Sequence, residues 1–191
     1  MIVVSAGRRI DASDAQEERF PLRNAEKVAA ALASRLKDLR PSALVCAAAC
    51  GSDLILLREA QSLGIRSRIV LPFSAQRFRG TSVTDRPGNA SWDWGAIFDE
   101  VTQAASESDD LIVLPDSEGD EKEAYVAANH RIISEALDLS HNPAGPHEGH
   151  VEELLALIVW EGSSRGEDDV TGQLMKKAGE AGMIVEQVRT I

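Results

Sequence analysis

The sequence predicts an α/β domain of Rossmann-like, three-layer form, built on a mainly parallel sheet of about six strands. Three observations carry that expectation. Short aliphatic runs such as Ile2-Val3-Val4 and Ala156-Leu157-Ile158-Val159 alternate with segments of helical period from one end of the chain to the other. The runs are apolar without polar alternation, the pattern of strands covered on both faces. The connections are long enough for right-handed β-α-β crossovers, which generate parallel sheets. With 191 residues and 43% hydrophobic content, the chain reads as one domain over 1–191 with a core of its own and an aromatic loop inserted at about 74–95.

The elements follow in order. Ile2-Val3-Val4 forms a buried strand that stops at Gly7. Leu22, Ala25, Val28, Ala29, Leu32, Leu36 and Leu39 recur at three- and four-residue steps, which makes one amphipathic helix set between Pro21 and Pro41. Residues 43–48 are the second strand, 52–63 a helix stopped by Gly64, and 68–73 the third strand. Residues 74–94 break the rhythm, with Phe78, Trp92 and Trp94 among Gly, Pro, Ser and Arg. Long loops in compact domains are usually functional, so this one is expected to be an ordered flap over the site. A helix over 96–106, a strand over 111–114 and a longer helix over 122–139 come next. After a His-, Pro- and Gly-rich loop, 154–160 is the most apolar strand, 170–181 a helix, and 183–188 the strand that completes the sheet.

Composition excludes several functions. A formal net charge of −11 argues against contact with a nucleic-acid backbone, which needs an excess of Lys and Arg to neutralise phosphates. No apolar run is long enough to span a bilayer and no signal-peptide pattern opens the chain, so a cytoplasmic protein without membrane contact is expected. Cys46 and Cys50 are the only cysteines; their spacing suits neither a zinc set nor a disulfide framework, and both read as packing residues. His147-Glu148-Gly149-His150 is not H-E-x-x-H and lies in the Pro/Gly loop, so no metal is expected. No cofactor is expected either, since the Walker A loop and the G-x-G-x-x-G fingerprint are both absent.

Ligands of open α/β sheets bind outside the carboxyl ends of the strands, near a switch in strand order. The residues just past each strand are therefore the candidates. Gly7-Arg8-Arg9 offers two arginines for a bidentate phosphate clamp. Cys50-Gly51-Ser52-Asp53 opens into a helix, where glycine permits close approach and free amides favour an anion; the plainer reading is a helix cap by Ser52 or Asp53. Asp53 leans towards the packed seam and needs a partner there. Pro72 follows the third strand, Asp116 the fourth, and Glu161-Gly162 the fifth. Asn129 shares an apolar helical stripe with Tyr125, Ile132 and Ala136, so it either fixes a neighbouring loop or reaches the ligand.

Taken in order, Gly7-Arg8-Arg9, Cys50-Gly51-Ser52-Asp53, the run from Arg68 to Phe73 with Phe78 and Ser82-Val83, then Tyr125, Asn129 and Val159-Trp160-Glu161-Gly162 resemble the SLOG superfamily of Rossmann-like nucleotide-binding domains. The resemblance spans nearly the whole chain and implies a small nucleotide-type ligand. It departs from the family in two places. The P-G-G-x-G-T-x-x-E motif of the LOG phosphoribohydrolases is missing, and the glycine-rich turn before the last helix reads Gly166-Glu167-Asp168-Asp169-Val170-Thr171. That acidic turn repels phosphate, so Asp169, with Thr171 beside it, is expected at ribose hydroxyls or a base amine, and phosphate near Arg8, Arg9 and Gly51. The expected function is thus a nucleotide-ligand sensor rather than an enzyme. The alternative is a nucleotide N-glycosidase, for which Glu161 is the leading carboxylate and Asp116 and Asp53 the others. The resemblance further implies a homodimer and an effector protein acting in trans as partners.

Overall fold

The computed structural model describes residues 1–116, 120–141, 151–166 and 168–191. The order of elements is β1 (Ile2–Gly7), α1 (Ala25–Leu39), β2 (Ala43–Cys46), α2 (Ser52–Ser62), β3 (Arg66–Leu71), α3 (Ala75–Phe78), α4 (Trp94–Glu107), β4 (Leu111–Val113), α5 (Glu121–His141), β5 (Leu154–Trp160), α6 (Val170–Glu180) and β6 (Ile184–Arg189). The six strands form one sheet in the order β4-β3-β2-β1-β5-β6, and every pairing is parallel. The α/β, Rossmann-like fold is as the sequence predicts. His147 and His150 lie outside the described residues.

Successive strand side chains point to opposite faces, and the core divides accordingly. Val3, Leu44, Ile69, Leu155 and Leu157 pack against α1, α2 and α4 through residues such as Leu32, Leu54 and Phe98. Ile2, Val4, Val45, Ala156 and Ile158 pack against α5 and α6 through Ile132, Ala136 and Leu174. A strand buried on both faces must be apolar at every position, which explains the uninterrupted aliphatic runs.

Helix boundaries follow local chemistry. Leu22–Asn24 is a 3-10 turn that leads into α1, and Arg40 closes α1 in the left-handed region at φ 45° just before Pro41. Gly64, at φ 69°, follows α2. The chain steps outward from β1 through β2 and β3 to β4, then returns along α5 to place β5 on the other side of β1. The direction of winding therefore reverses between β1 and β5, and the crevice opens at their carboxyl ends.

The segment expected to be one long aromatic flap is built otherwise. Its first part is α3 followed by a π-turn over Arg79–Val83. Its tryptophans belong to the core: Trp92 and Trp94 are buried and stacked at 5.3 Å between ring centroids, with the Arg58 guanidinium 3.8 Å over Trp92. Aromatic rings in a polar stretch signal burial of something; here they bury each other against α2 and α4 rather than cover a ligand. Among the described residues no helix is long and apolar enough to cross a membrane.

Candidate functional site

A cavity of about 680 Å³ lies over the carboxyl ends of β1, β2 and β3, within the size range of small-molecule sites. Its floor is made of small residues, Ser5, Ala6 and Gly7 from β1 with Ala47 and Ala49 after β2, and Pro72 closes it on the β3 side. α5 supplies one wall through Tyr125, Ala128, Asn129 and Ile132, and α3 with its π-turn supplies another through Phe78, Thr81 and Ser82. The Ser82 and Tyr125 hydroxyls are hydrogen-bonded to each other at 2.7 Å, which joins the two walls. The loop after β1 overhangs the mouth. Asp11 accepts the amides of Arg19 and Phe20 at 2.9 and 3.0 Å, which draws the ends of that loop together.

Arg8 has a different task from the one its sequence position suggests. Its guanidinium donates to Glu161 at 2.6 and 3.1 Å, to Asp169 at 2.5 and 3.0 Å, and to the Ser163 carbonyl at 2.7 Å. Arg8 is only 3% exposed and Asp169 is fully buried. The side chain thus bolts the end of β1 to the end of β5 and the start of α6, and its donors are already occupied by fixed carboxylates. Asp169, expected to face a ribose or base amine, is held by Arg8 and by the Arg165 amide at 2.9 Å. Although burial opposes ionisation, those bonds lower its pKa to about 2. Glu161 is held below its ordinary value as well, because the Arg8 and Arg19 hydrogen bonds outweigh its desolvation.

The glycine positions are likewise occupied by protein. A Cβ on Gly51, whose φ is +93°, would sit 2.8 Å from both the Arg8 carbonyl oxygen and the Ile10 nitrogen. A Cβ on Gly7 would collide with Ser52 Oγ and lie 2.6 Å from the Val159 carbonyl oxygen. Both glycines let the β1 and β2 loops close on each other. Two amides at the start of α2 are used within the protein: Ser52 N–H donates to the Arg8 carbonyl and Leu54 N–H to that of Ala49. The close approach that Gly51 permits is thus made here by the β1 loop of the protein itself.

Arg9 stands apart from these. It lines the cavity together with Arg86, and both guanidinium groups reach the same carboxylate, Asp85. Two cations on one anion leave a positive charge over. The Nε atoms of Arg9 and Arg86 are buried and make no hydrogen bond among the described residues; Arg86 Nε faces an Asp85 carboxylate oxygen at 3.5 Å, and Arg9 Nε has no such contact. Arg165 lines the mouth as well; burial above all, and then the neighbouring Arg8, depresses its pKa, with Asp169 pulling the other way.

Asp53 lies on the cavity lining, 6% exposed. It accepts the Ala49 amide at 3.2 Å, and its other oxygen is 3.4 Å from Ser52 Oγ. Burial raises its pKa to about 7, only partly offset by those bonds and by Arg9. Asn129 donates to the Val170 carbonyl at 2.9 Å and Thr171 to the Gly7 carbonyl at 3.2 Å, so both fix the start of α6 while lining the cavity. Cys50 is buried, its thiol pKa pushed up by desolvation. Gly162 lies under Arg189, which donates to the Glu161 carbonyl at 2.8 Å.

Of the residues singled out from the sequence, Gly7, Arg8, Arg9, Asp53, Pro72, Phe78, Asn129 and Thr171 meet at one cavity. Cys50, Gly51, Ser52, Glu161, Gly162 and Asp169 stand behind them as the frame. Arg19 and Arg86 carry no signal in the sequence, because each sits in a loop without periodicity and only folding brings the loops together; Arg165 follows the fifth strand and could be read only as one of the residues at that strand's end. Among the described residues no group of His, Cys, Asp and Glu is arranged to hold a metal ion. Comparison with protein-family models and with curated proteins gives no match.

Proposed function

We propose that the chain is a SLOG-like binding domain for a small nucleotide-type anion, held in the cavity over β1–β3. The observation that carries this reading is that Arg9 and Arg86 share the single carboxylate of Asp85 at the wall of a cavity with a small-residue floor, with the buried Arg9 Nε left without a hydrogen-bond partner among the described residues. A buried donor without an acceptor is costly, and an incoming phosphate oxygen supplies one. The apolar wall from Phe78 to Tyr125 suits a base, and the loop over the mouth suits a ligand that is enclosed on binding. The protein is read as a cytoplasmic sensor that passes its signal to an effector in trans or through a homodimer.

Against the glycosidase, its leading carboxylate Glu161 is locked between Arg8 and Arg19 and does not line the cavity, and Asp116, half exposed, bonds Ser74 and Arg77 instead; of the three candidates only Asp53 is on the lining, so base release is the readout that separates the two readings. A catalytic carboxylate must reach the reacting atoms. Calorimetry with a panel of nucleoside monophosphates tests the proposal. Arg9→Ala and Arg86→Ala should each weaken binding by ~1.5–3 kcal/mol, the worth of a hydrogen bond to a charged group, with no release of free base by chromatography. Unchanged affinity in both variants removes the anion subsite; base release at enzyme-like rates turns the sensor into a hydrolase.

A further inference from the structure

One buried acid inside this cavity lacks a cationic partner. Every other deeply buried carboxylate of the region has an arginine: Glu161 and Asp169 have Arg8, and at the opposite edge Asp110 has Arg66 and Arg68. Asp53 has none within ion-pairing distance among the described residues; its contacts are one amide at 3.2 Å and one hydroxyl at 3.4 Å. The amide bond is a reach back to Ala49 across the first turn of α2, which uses one lone pair of one oxygen. The remaining capacity lies at the cavity lining.

We propose that Asp53 reads the base of the ligand by pairing with an edge that carries a hydrogen-bond donor beside an acceptor, as in the amino–imino edge of adenine or cytosine. The inference rests on the nucleotide-binding reading above. A neutral carboxyl presents an O–H donor and a C=O acceptor side by side and matches such an edge. An ionised one presents two acceptors and meets a lone pair head-on. The surroundings favour the neutral form. Burial opposes a charge on Asp53, and the Ala49 and Ser52 hydrogen bonds together with the Arg9 cation pull the other way only in part. Across the cavity stand Tyr125 and Glu121 of α5, Arg86, Arg165, and Asp11, Glu17 and Arg19 of the β1 loop. Of these only the arginines favour ionisation, and Arg9 and Arg86 are drawn to Asp85 and Arg19 to Glu161. With its pKa near 7, the group retains its proton up to neutral pH, and the site becomes a reader that fails as pH rises.

The test compares three probes on the intact chain by calorimetry: AMP, purine riboside 5′-monophosphate, which lacks the amine, and ribose 5-phosphate, which lacks the base. AMP should bind about tenfold more tightly than the purine riboside ester, the effect of one deleted hydrogen bond. Relative to ribose 5-phosphate, whose phosphate titrates identically, AMP affinity should fall about tenfold between about pH 6 and about pH 8 as Asp53 loses its proton. In Asp53→Asn the carboxamide keeps a permanent donor and acceptor and can still accept the Ala49 amide, so the AMP preference should persist and its fall with pH disappear. Equal binding of all three probes leaves the anion pocket standing and overturns the assignment of Asp53. So does an Asn variant with the same pH profile as the wild type. Failure of all three to bind overturns the pocket reading and this inference with it. If the Asn variant does not fold, AMP against the purine riboside ester in the wild-type protein decides alone.

Discussion

Replacing Arg8 by alanine strands two buried carboxylates, and the consequence can be worked from the structure. Glu161 and Asp169 are 7% and 0% exposed in their side chains, and Arg8 is 3% exposed. Five of its contacts vanish together: two on Glu161, two on Asp169 and one on the Ser163 carbonyl. Arg19 still reaches Glu161, but among the described residues Asp169 keeps only Arg165 at 3.7 Å as a cationic neighbour. Removing one partner of a buried ion pair costs about 3–5 kcal/mol, most of it the penalty of the charge left behind. For a domain of this size that lowers the melting temperature by on the order of 10 °C, measured by calorimetry or circular dichroism near neutral pH. Adding Asp169→Asn to Arg8→Ala should recover part of the loss, because it removes a stranded charge. A phosphate clamp predicts the opposite pattern, in which stability is intact and ligand affinity collapses. An Arg8→Ala protein that melts with the wild type would refute the bolt and return Arg8 to the ligand.

The other expectations rest on the same geometry. Gly51→Ala should destabilise the domain by about 1–3 kcal/mol in a denaturant titration, since the new Cβ meets the Arg8 carbonyl at 2.8 Å and the backbone stands at φ +93°; a neutral effect would mean that the two loops are not in contact. Stability should be lost on acidification, because the folded-state pKa values of Asp169, at about 2, and of Glu161 and Asp110 all lie below their ordinary values. The sign is that of depressed carboxylates: their contribution is complete above the ordinary carboxylate range and fades as pH falls towards the folded values. The window for the test is the one from about pH 4 down to about pH 2, where a rising melting temperature would contradict it; from neutrality down to about pH 4 the raised pKa of Asp53 acts in the opposite sense and adds stability as pH falls. In a Trp160→Phe background, saturating ligand should leave the emission of Trp92 and Trp94 unchanged, because they stack with each other away from the cavity; a shift in their emission would restore them to a flap.

The linear pattern was enough for the fold because its signals are local and repetitive. The fifth strand can be read without knowing any of its neighbours. Leu155, Ala156, Leu157, Ile158 and Val159 are apolar at consecutive positions, which fits a strand covered on both faces. The recurring leucines of α1 and the stop at Gly64 belong to the same class. The residues just past each strand lie at the end of the sheet where the cavity opens, since strand direction and crossover hand leave little freedom once the order of elements is known.

The roles at that end were decided by tertiary structure. Gly7-Arg8-Arg9 holds two adjacent arginines, and nothing along the chain says that Arg8 turns to Glu161 and Asp169 while Arg9 turns to Asp85. Those partners are between 76 and 161 residues away. Gly51 has the character of a place for phosphate to approach, and it is a place for the Ile10 backbone to approach. Ser52 and Asp53 are adjacent and both suit a helix start, yet only the cavity shape puts Asp53 on its lining. Secondary structure is written in periods of two and 3.6 residues, which a sequence displays. Which charge finds which depends on loops that converge from β1, β2, β5 and the segment after β3, and each pairing is chosen by the desolvation that burial imposes on whatever remains unpaired.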